Sequence, residues 1–190
     1  RNLYLFGHSG GSDWDILIGA GCIKRVEAAY VADEAFGAIG PRWRQAIQRG
    51  DIEWEDYSNF AMVSRFTAGA MGLPFMPTRS LLGSDVLAKD SLSPEQRAAD
   101  PRTASKKAHV MASPFDHDDQ VVLLPAIHTD FTVLHVQKAT PSGVIRIEGQ
   151  TFADFEQALC AGVLIVTAEE IVPEETLRLE AERNRVPCFA

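Results

Sequence analysis

The 190 residues carry a net charge of −8, with 46% apolar and 23% charged side chains, which is long and apolar enough for one domain with a buried core. That acidic balance argues against a nucleic-acid surface, which needs clustered Lys and Arg, and no uncharged apolar run is long enough for a transmembrane helix. No charged-then-apolar leader of the secretory type opens the chain. The sequence starts at Arg1 and runs straight into LYLF. A chain that begins inside a strand is expected to lack an upstream segment.

Leu3–Phe6 reads as a short buried strand that runs into the loop Gly7-His8-Ser9-Gly10-Gly11-Ser12, the usual setting of a ligand-facing turn in an open α/β sheet. Asp13–Ala20 predicts a short helix capped by Ser12 and ended by Gly21, and Cys22–Ala32 a second strand. Pro41 at a helix start and Gly50 just past its end mark the next helix. Ile52–Tyr57 returns as a strand. Strand and helix in such regular order predict an α/β fold with an open, mostly parallel sheet and flanking helices.

The stretch from Gly50 to Gly83 is the most informative. Ser58 is a natural N-cap for a helix that Gly72 and Pro74 stop. Phe60, Val63, Phe66 and Ala70 recur at helical spacing and predict the buried stripe. Ala61, Ala68 and Gly69 keep the other flank thin, so that a backbone or ligand can approach closely. The first turn then presents free N–H groups and a positive dipole end near Ser58 and Asn59. No nucleophile or general base stands there, so the stretch reads as a binding wall.

Residues 87–107 are polar and aperiodic and read as a surface excursion. From Ala108 the pattern turns to strands, HVMASPF, VVLLPAI, FTVLHVQKA and VIRIEG, with Ser142-Gly143 as a hairpin signal between the last two. Phe152–Ala161 predicts a helix, VLIVT (163–167) a buried strand, and Pro173–Arg183 a charged terminal helix. These β-hairpins are additions to the main sheet.

The isolated chemical groups point to little catalysis. Asp116, His117, Asp118 and Asp119 are consecutive, and consecutive residues rarely converge on one ion, so they read as a solvated turn. His128, Asp130 and His135 sit at or in a strand and read as hydrogen-bonded structural residues. His8 beside Ser9 invites a hydrolase pair, but neighbours on a turn seldom face each other and no orienting acid follows. Gly7–Ser12 is neither a Walker loop nor a full GxGxxG fingerprint, which leaves a loop whose N–H groups could face a carbonyl or carboxylate. Glu169 and Glu170 precede a strand end and read as capping or solvated. Cys22, Cys160 and Cys188 form no CxxC pair, so no zinc site or disulfide framework is expected. Reduced, mostly buried thiols fit a cytoplasmic protein.

Taken together, these blocks resemble a known family. YSNFAMVSRFTAGAMGLPFMPT resembles the segment of class I CoA-transferases that runs helix, Arg, small residues, Gly, Leu/Ile-Pro, Phe. ALCAGVLIVTAEEIVPEE with the closing RVPCF is similar to the family's C-terminal strand and helix. DFTVLHVQKATPSGVIRIEG is similar to its preceding hairpin, and GGSDWDILIGAGCIKRVEAAYV to its early helix and strand. The resemblance spans most of the chain and is to the A (alpha) subunit of the glutaconate CoA-transferase type.

It implies a CoA-transferase-like fold over residues 1–190 as one domain, and a B (beta) subunit partner in a heterotetramer or larger assembly, with neither nucleic acid nor membrane involved. In that family a glutamate of the B subunit, in a Ser-Glu-Asn-Gly motif, attacks the acyl-CoA to give an anhydride and then a glutamyl-CoA thioester. No such motif occurs in this chain, and the family's upstream Gly-Gly-Phe loop is missing too. The resemblance therefore implies no catalytic residue here and no cofactor beyond coenzyme A carried as a thioester. The chain would supply binding walls: Ser9, Gly10 and Gly11 in one loop, Ser58, Asn59 and Phe60 with Met62 in another, and Gly83 and Ser84 in a third. Ser9 and Asn59 would hydrogen-bond the acyl group or its distal carboxylate, and Phe60 and Met62 would form apolar wall.

Related members decarboxylate a glutaconyl-type thioester or hydrolyse a CoA-linked ring. A ring-opening relative is expected to hold an acid where Asn59 stands, and Asn cannot act as a base, which disfavours hydrolysis. A non-catalytic ligand-binding domain on a related sheet is the reading from a different class.

Overall fold

The computed structural model describes residues 2–33, 37 and 39–186. In chain order the elements of the first part are β1 (Leu3–Phe6), β2 (Ser9–Gly10), α1 (Ser12–Gly19), β3 (Ile23–Ala28), β4 (Tyr30–Val31), α2 (Pro41–Arg49), β5 (Glu53–Asp56), α3 (Asn59–Ala70) and β6 (Phe75–Thr78). They are followed by α4 (Asp85–Ala88), α5 (Pro94–Ala98), β7 (His109–Ala112), β8 (Gln120–Pro125), β9 (Thr129–Ala139), β10 (Ile145–Arg146), α6 (Asp154–Leu159), β11 (Ala161–Ile171) and α7 (Glu174–Arg178). The chain divides into two compact units, one of residues 1–65 with 75–125, the other of residues 66–74 with 126–190.

In the first unit β1, β3 and β5 form a parallel sheet in the order β1-β3-β5, as the alternation of strands and helices predicts. Ile18, Ile23, Val26, Ala28, Val31 and Ala46 form the core against it, with Trp14 and Trp43 packed alongside. One carboxylate joins the two covering helices: Asp15 of α1 is buried and accepts hydrogen bonds from the Arg42 and Trp43 amides, each at 2.9 Å, at the start of α2. A carboxylate at that end satisfies orphan N–H donors and complements the helix dipole. Gly40 leaves the room, because a Cβ there would lie 2.6 Å from the Asp15 oxygen. At its other end α2 stops at Gly50, left-handed at φ 71°, as the Pro-to-Gly polarity predicts.

Two local expectations fail here. Gly11, not Ser12, is the N-cap of α1, and the Ser12 hydroxyl is drawn instead to the Asp33 carboxylate. The surface excursion at 87–107 also proves to be partly core. It forms α5, closed by a capping box between Ser93 and Gln96, and it sends Leu92, Arg97 and Lys107 inside. Arg97 meets the buried Glu55 carboxylate, with Lys107 at 3.6 Å from the same residue. The polar sequence is polar because its charges have a buried partner.

A second sheet of the first unit is antiparallel, in the order β6-β8-β7. The turn between β7 and β8 holds Asp116–Asp119, where Asp116 accepts from the Asp118 amide and Arg79 pairs with Asp119, as a solvated turn would. Among the described residues no group of three or more metal-ligating side chains converges.

In the second unit β9 pairs with β10 antiparallel and with β11 parallel. Leu134, Val136, Ala139, Ile145 and Ala158 make its core, with Leu164 and Val166 packed against them. The Ser142-Gly143 hairpin is present, Gly143 taking φ 91°. The run VLIVT is buried on one face only. Val163 and Ile165 point the other way beside Phe131 and Val133, and these four are 44–65% exposed. His135 lies on that outer face too, 2.9 Å from the Thr167 hydroxyl and 3.7 Å from Glu169. It is a hydrogen-bonded structural residue.

The charged terminal helix breaks into α7 and a 3-10 turn at Ala181–Arg183, separated by Glu180 in the left-handed region at φ 55°. The cause is Arg146. Its buried guanidinium collects the carbonyls of Leu177, Leu179 and Glu180, at 3.1, 2.8 and 3.3 Å. Carbonyls of a continuing helix point along its axis from different sides and could not converge on one guanidinium nitrogen, whereas here the Leu177 carbonyl also accepts from Asn184 Nδ2 at 2.7 Å and the Glu180 carbonyl from the Arg183 amide at 2.9 Å. Cys160 is buried, and burial pushes its thiol up, away from the reactive thiolate. Cys22 is half-buried and unbridged, and Cys188 lies outside the described residues.

Candidate functional site

All nine candidate wall residues fall in the first unit; the Ser9 and Ser58 loops follow the carboxyl ends of β1 and β5, the side where open α/β sheets place their ligands, whereas Gly83 and Ser84 follow β6 of the other sheet. β3 lies between β1 and β5, so the Ser9 and Ser58 loops leave the sheet about 10 Å apart, two strand spacings. The end of β3 ties them down. The Gly7 amide donates to the Glu27 carbonyl at 3.2 Å, and the Tyr57 amide to the Ala28 carbonyl at 3.1 Å.

The first loop differs from a phosphate-type cradle. Ser9 and Gly10 form β2 and pair in parallel with Tyr30 and Val31 of β4, so much of the loop backbone is engaged within the chain. The glycines are explained by Trp14. A Cβ on Gly10 would lie 2.4 Å from the indole ring, and one on Gly7 would lie 2.8 Å from it. Their absent side chains seat this ring, which leaves Gly11 as the half-exposed glycine at the loop's end. Replacing Gly10 by alanine must displace the ring and will cost about 1–3 kcal/mol, as overpacking does. Urea unfolding measures it, and unchanged stability would refute the role given to Trp14. Adjacent Ser9 and His8 do face each other, Oγ to Nδ1 at 3.1 Å, contrary to the expectation for neighbours on a turn.

The second loop matches its sequence signals at the start of α3. The Ser58 hydroxyl accepts from the Ala61 amide at 3.1 Å, which makes Ser58 the N-cap. Asn59 is exposed, and its side-chain amide has no partner among the described residues. Phe60 beside it is 62% exposed. A free amide next to an exposed aromatic ring can offer a donor and an apolar surface together. Met62 does not join them: it is fully buried, with Sδ 3.5 Å from the Arg65 guanidinium. The buried face of α3 runs through Ala61, Met62, Arg65, Phe66, Ala68 and Gly69. The predicted stripe shares only Phe66 with it, so the small residues mark a tightly packed flank and not an open one.

The third loop is joined to the second through Ser80, whose hydroxyl lies 3.4 Å from that of Ser58. Ser84 caps α4, accepting from the Leu87 amide and donating to the Leu81 carbonyl. Gly83 takes φ 71°, where a Cβ would be strained even in open space.

Sequence reasoning missed the charged layer beneath these loops. Glu27 of β3 and Arg65 of α3 form an ion pair at 2.9 Å, their side chains 7% and 5% exposed. The Arg65 guanidinium also lies 4.2 Å from the centre of the Tyr57 ring and donates through Nε to the Pro125 carbonyl at 3.0 Å. Burial alone pulls the guanidinium pKa down, but the acidic groups around it, the paired Glu27 carboxylate among them, outweigh it, so Arg65 stays charged. Burial pushes the Tyr57 phenol well up, and its neutral hydroxyl donates to the Lys107 carbonyl at 3.2 Å. A signal exists in the sequence: a glutamate inside the apolar run VEAAYV, and a lone arginine in a helix of small and apolar residues. Only paired charges survive such burial.

The chain has relatives among known proteins. The family model described as "Coenzyme A transferase" matches residues 1–187. The A subunit of glutaconate CoA-transferase from Acidaminococcus fermentans is 33% identical over 181 residues, 95% of this chain and 57% of that protein. The crystal structure of the glutaconate coenzyme A-transferase from that organism superposes with a TM-score of 0.94 over all of this chain and 60% of its own, at 32% identity. The A subunit of 3-oxoadipate CoA-transferase from Pseudomonas knackmussii is 30% identical over 85% of this chain and 52% of its own length. A solved variant of the decarboxylase AibA/AibB superposes at a TM-score of 0.74 and 25% identity, over all of this chain and 64% of its own. The chain thus spans about half the length of these two curated relatives.

Proposed function

The chain belongs to the coenzyme A transferase family, and from that premise we propose that it is the A-subunit part of a two-subunit enzyme that moves coenzyme A between carboxylic acids. The observation that carries the reading is its likeness to the A subunit of the glutaconate enzyme across 95% of its length. The site geometry agrees with it. The candidate loops offer hydrogen-bonding and apolar groups, Asn59, Phe60 and the Ser9 loop, while the nucleophile comes from a partner B subunit.

In the proposed reaction a carboxylate of that partner attacks the acyl carbonyl of a dicarboxylyl- or glutaconyl-type thioester and expels the CoA thiolate, leaving an acyl anhydride on the enzyme. The thiolate then attacks the enzyme's own carbonyl, which releases the free acid and leaves an enzyme thioester. The acceptor acid reverses these steps. Covalent catalysis divides one difficult exchange into easier ones. Asn59 would donate to the acyl group or its distal carboxylate, and hydrogen-bond donors so placed stabilise the charge that develops. No cofactor is required beyond coenzyme A itself. Residues 1–190 act as one A-subunit-like domain of a heterotetramer or larger assembly in the cytoplasm.

The likeness to a decarboxylase supports a second reading, in which the same complex removes carbon dioxide from the thioester. The partner decides between the two. With a glutamate in the partner's Ser-Glu-Asn-Gly motif, the co-expressed pair should exchange CoA between glutaconyl-CoA and acetate, followed by mass spectrometry of the thioesters. The chain alone should be inert. Turnover without any partner would sink both readings, and release of carbon dioxide without exchange would replace the first with the second.

A further inference from the structure

The buried pair Glu27–Arg65 stands where both candidate loops begin, and the role of this arginine in its helix is not explained by packing. A buried ion pair is weak evidence for stability, because desolvation offsets most of the attraction. Its connections are more specific. The Glu27 backbone carbonyl receives the Gly7 amide, the first hydrogen bond of the Ser9 loop. The Glu27 carboxylate holds Arg65. The guanidinium lies over Tyr57, the residue immediately before Ser58, and its Nε fixes the Pro125 carbonyl at the end of β8. Arg65 is also six residues along α3 from Asn59, so its position fixes the rotation of the helix that presents Asn59 and Phe60. One planar group therefore touches the exits of β3, β5 and β8 and the body of α3.

We infer that Glu27 and Arg65 are positioning residues that hold the Ser9 loop and the Ser58–Asn59–Phe60 turn in fixed register across the end of β3. The inference rests on the reading of these loops as the wall of the acyl-CoA site. Neither residue touches substrate. A lysine could supply the charge but not the planar fork that meets the Glu27 carboxylate and the Pro125 carbonyl at once while lying over an aromatic ring. The pair sets geometry through directional bonds, and an apolar substitute of equal volume would fill the space without setting it.

The test separates positioning from folding with the double variant Glu27→Gln/Arg65→Met in the full chain bound to its partner. This variant buries no unpaired charge, and replacement of an ion pair by neutral groups is often tolerated. Its thermal midpoint should fall by only a few degrees, from the donor that the Pro125 carbonyl loses. Hydrogen exchange of peptides covering residues 7–12 and 57–62 should nonetheless accelerate together by about tenfold, while β9 and β11 keep their protection. With glutaconyl-CoA and acetate, kcat should fall by about 100-fold, as expected when a reacting group is displaced by an ångström. Arg65→Lys, which keeps the charge, should loosen the same two peptides.

A stable double variant with unchanged exchange in both loops would overturn the proposal. So would acceleration spread evenly through β9 and β11 in both variants, which would assign the pair to folding alone. If the native complex shows no turnover with these substrates while the two loops still loosen together, the positioning role stands and the functional reading fails.

Discussion

Gly69→Ala will destabilise the protein by about 3 kcal/mol, at the upper end of what overpacking usually costs. Gly69 lies near the end of α3, where alanine is by itself about 1 kcal/mol the better helix former. Space reverses that preference. A Cβ at this position would lie 1.9 Å from the Ile127 carbonyl oxygen and 3.0 Å from the Cys160 side chain. The first neighbour is backbone leading into β9, which cannot rotate away as a flexible side chain can. Relief requires the helix to move off the Ile127 segment. For a chain of this size the loss corresponds to a fall in Tm of about 10 °C. Calorimetry reads it, and a Tm equal to or above that of the native protein would show that the close approach is not real.

Arg146→Met should cost about 2 kcal/mol or more, since the Leu179 carbonyl and the Asn184 side-chain oxygen are left without their donor, at about 1–3 kcal/mol each, while the Leu177 and Glu180 carbonyls keep the Asn184 amide and the Arg183 N–H. Methionine keeps most of the volume and removes every hydrogen bond. The Leu177, Leu179 and Glu180 carbonyls lose the guanidinium, and Asn184 loses the 2.8 Å bond that its side-chain oxygen accepts from Nε. The change should also alter secondary structure. Freed carbonyls can accept the i→i+4 bonds of a helix, so residues 174–183 should move toward the single continuous helix that their sequence favours. Far-UV circular dichroism would then gain helical signal while urea unfolding shows lost stability. Retention of both the native spectrum and the native stability would show that Arg146 does not cause the break.

These two positions show where the sequence is legible and where it is not. Gly69 belongs to a run of small residues that predicts a close approach, and the approach is there, made by backbone. Arg146 sits in VIRIEG, which reads as an ordinary strand, and nothing local marks it as the residue that ends a helix more than thirty positions later. Met62 and Phe60 teach the same lesson on one helix. Both are apolar and two residues apart, so spacing alone allows both to serve as wall, whereas one is fully buried and the other 62% exposed. Glu27 and Arg65 lie 38 positions apart, and neither stands out alone, because a buried charge is recognised only once its partner is known.

What the sequence determined by itself is the order and type of most elements, the ends of α2 and the N-cap of α3, and the resemblance that led to the family. Those signals act within a few residues: a proline that fixes φ, a glycine that accepts a left-handed conformation, a serine that bonds an amide three positions on. Only the tertiary structure decided which face of α3 is buried, that residues 87–107 send charges into the interior, that the terminal helix breaks, and that one ion pair underlies both candidate loops. Each of these is a competition between a local preference and a partner distant in sequence. The distant partner wins where an unpaired buried charge, an unsatisfied carbonyl or an atomic overlap would cost more than the local preference is worth.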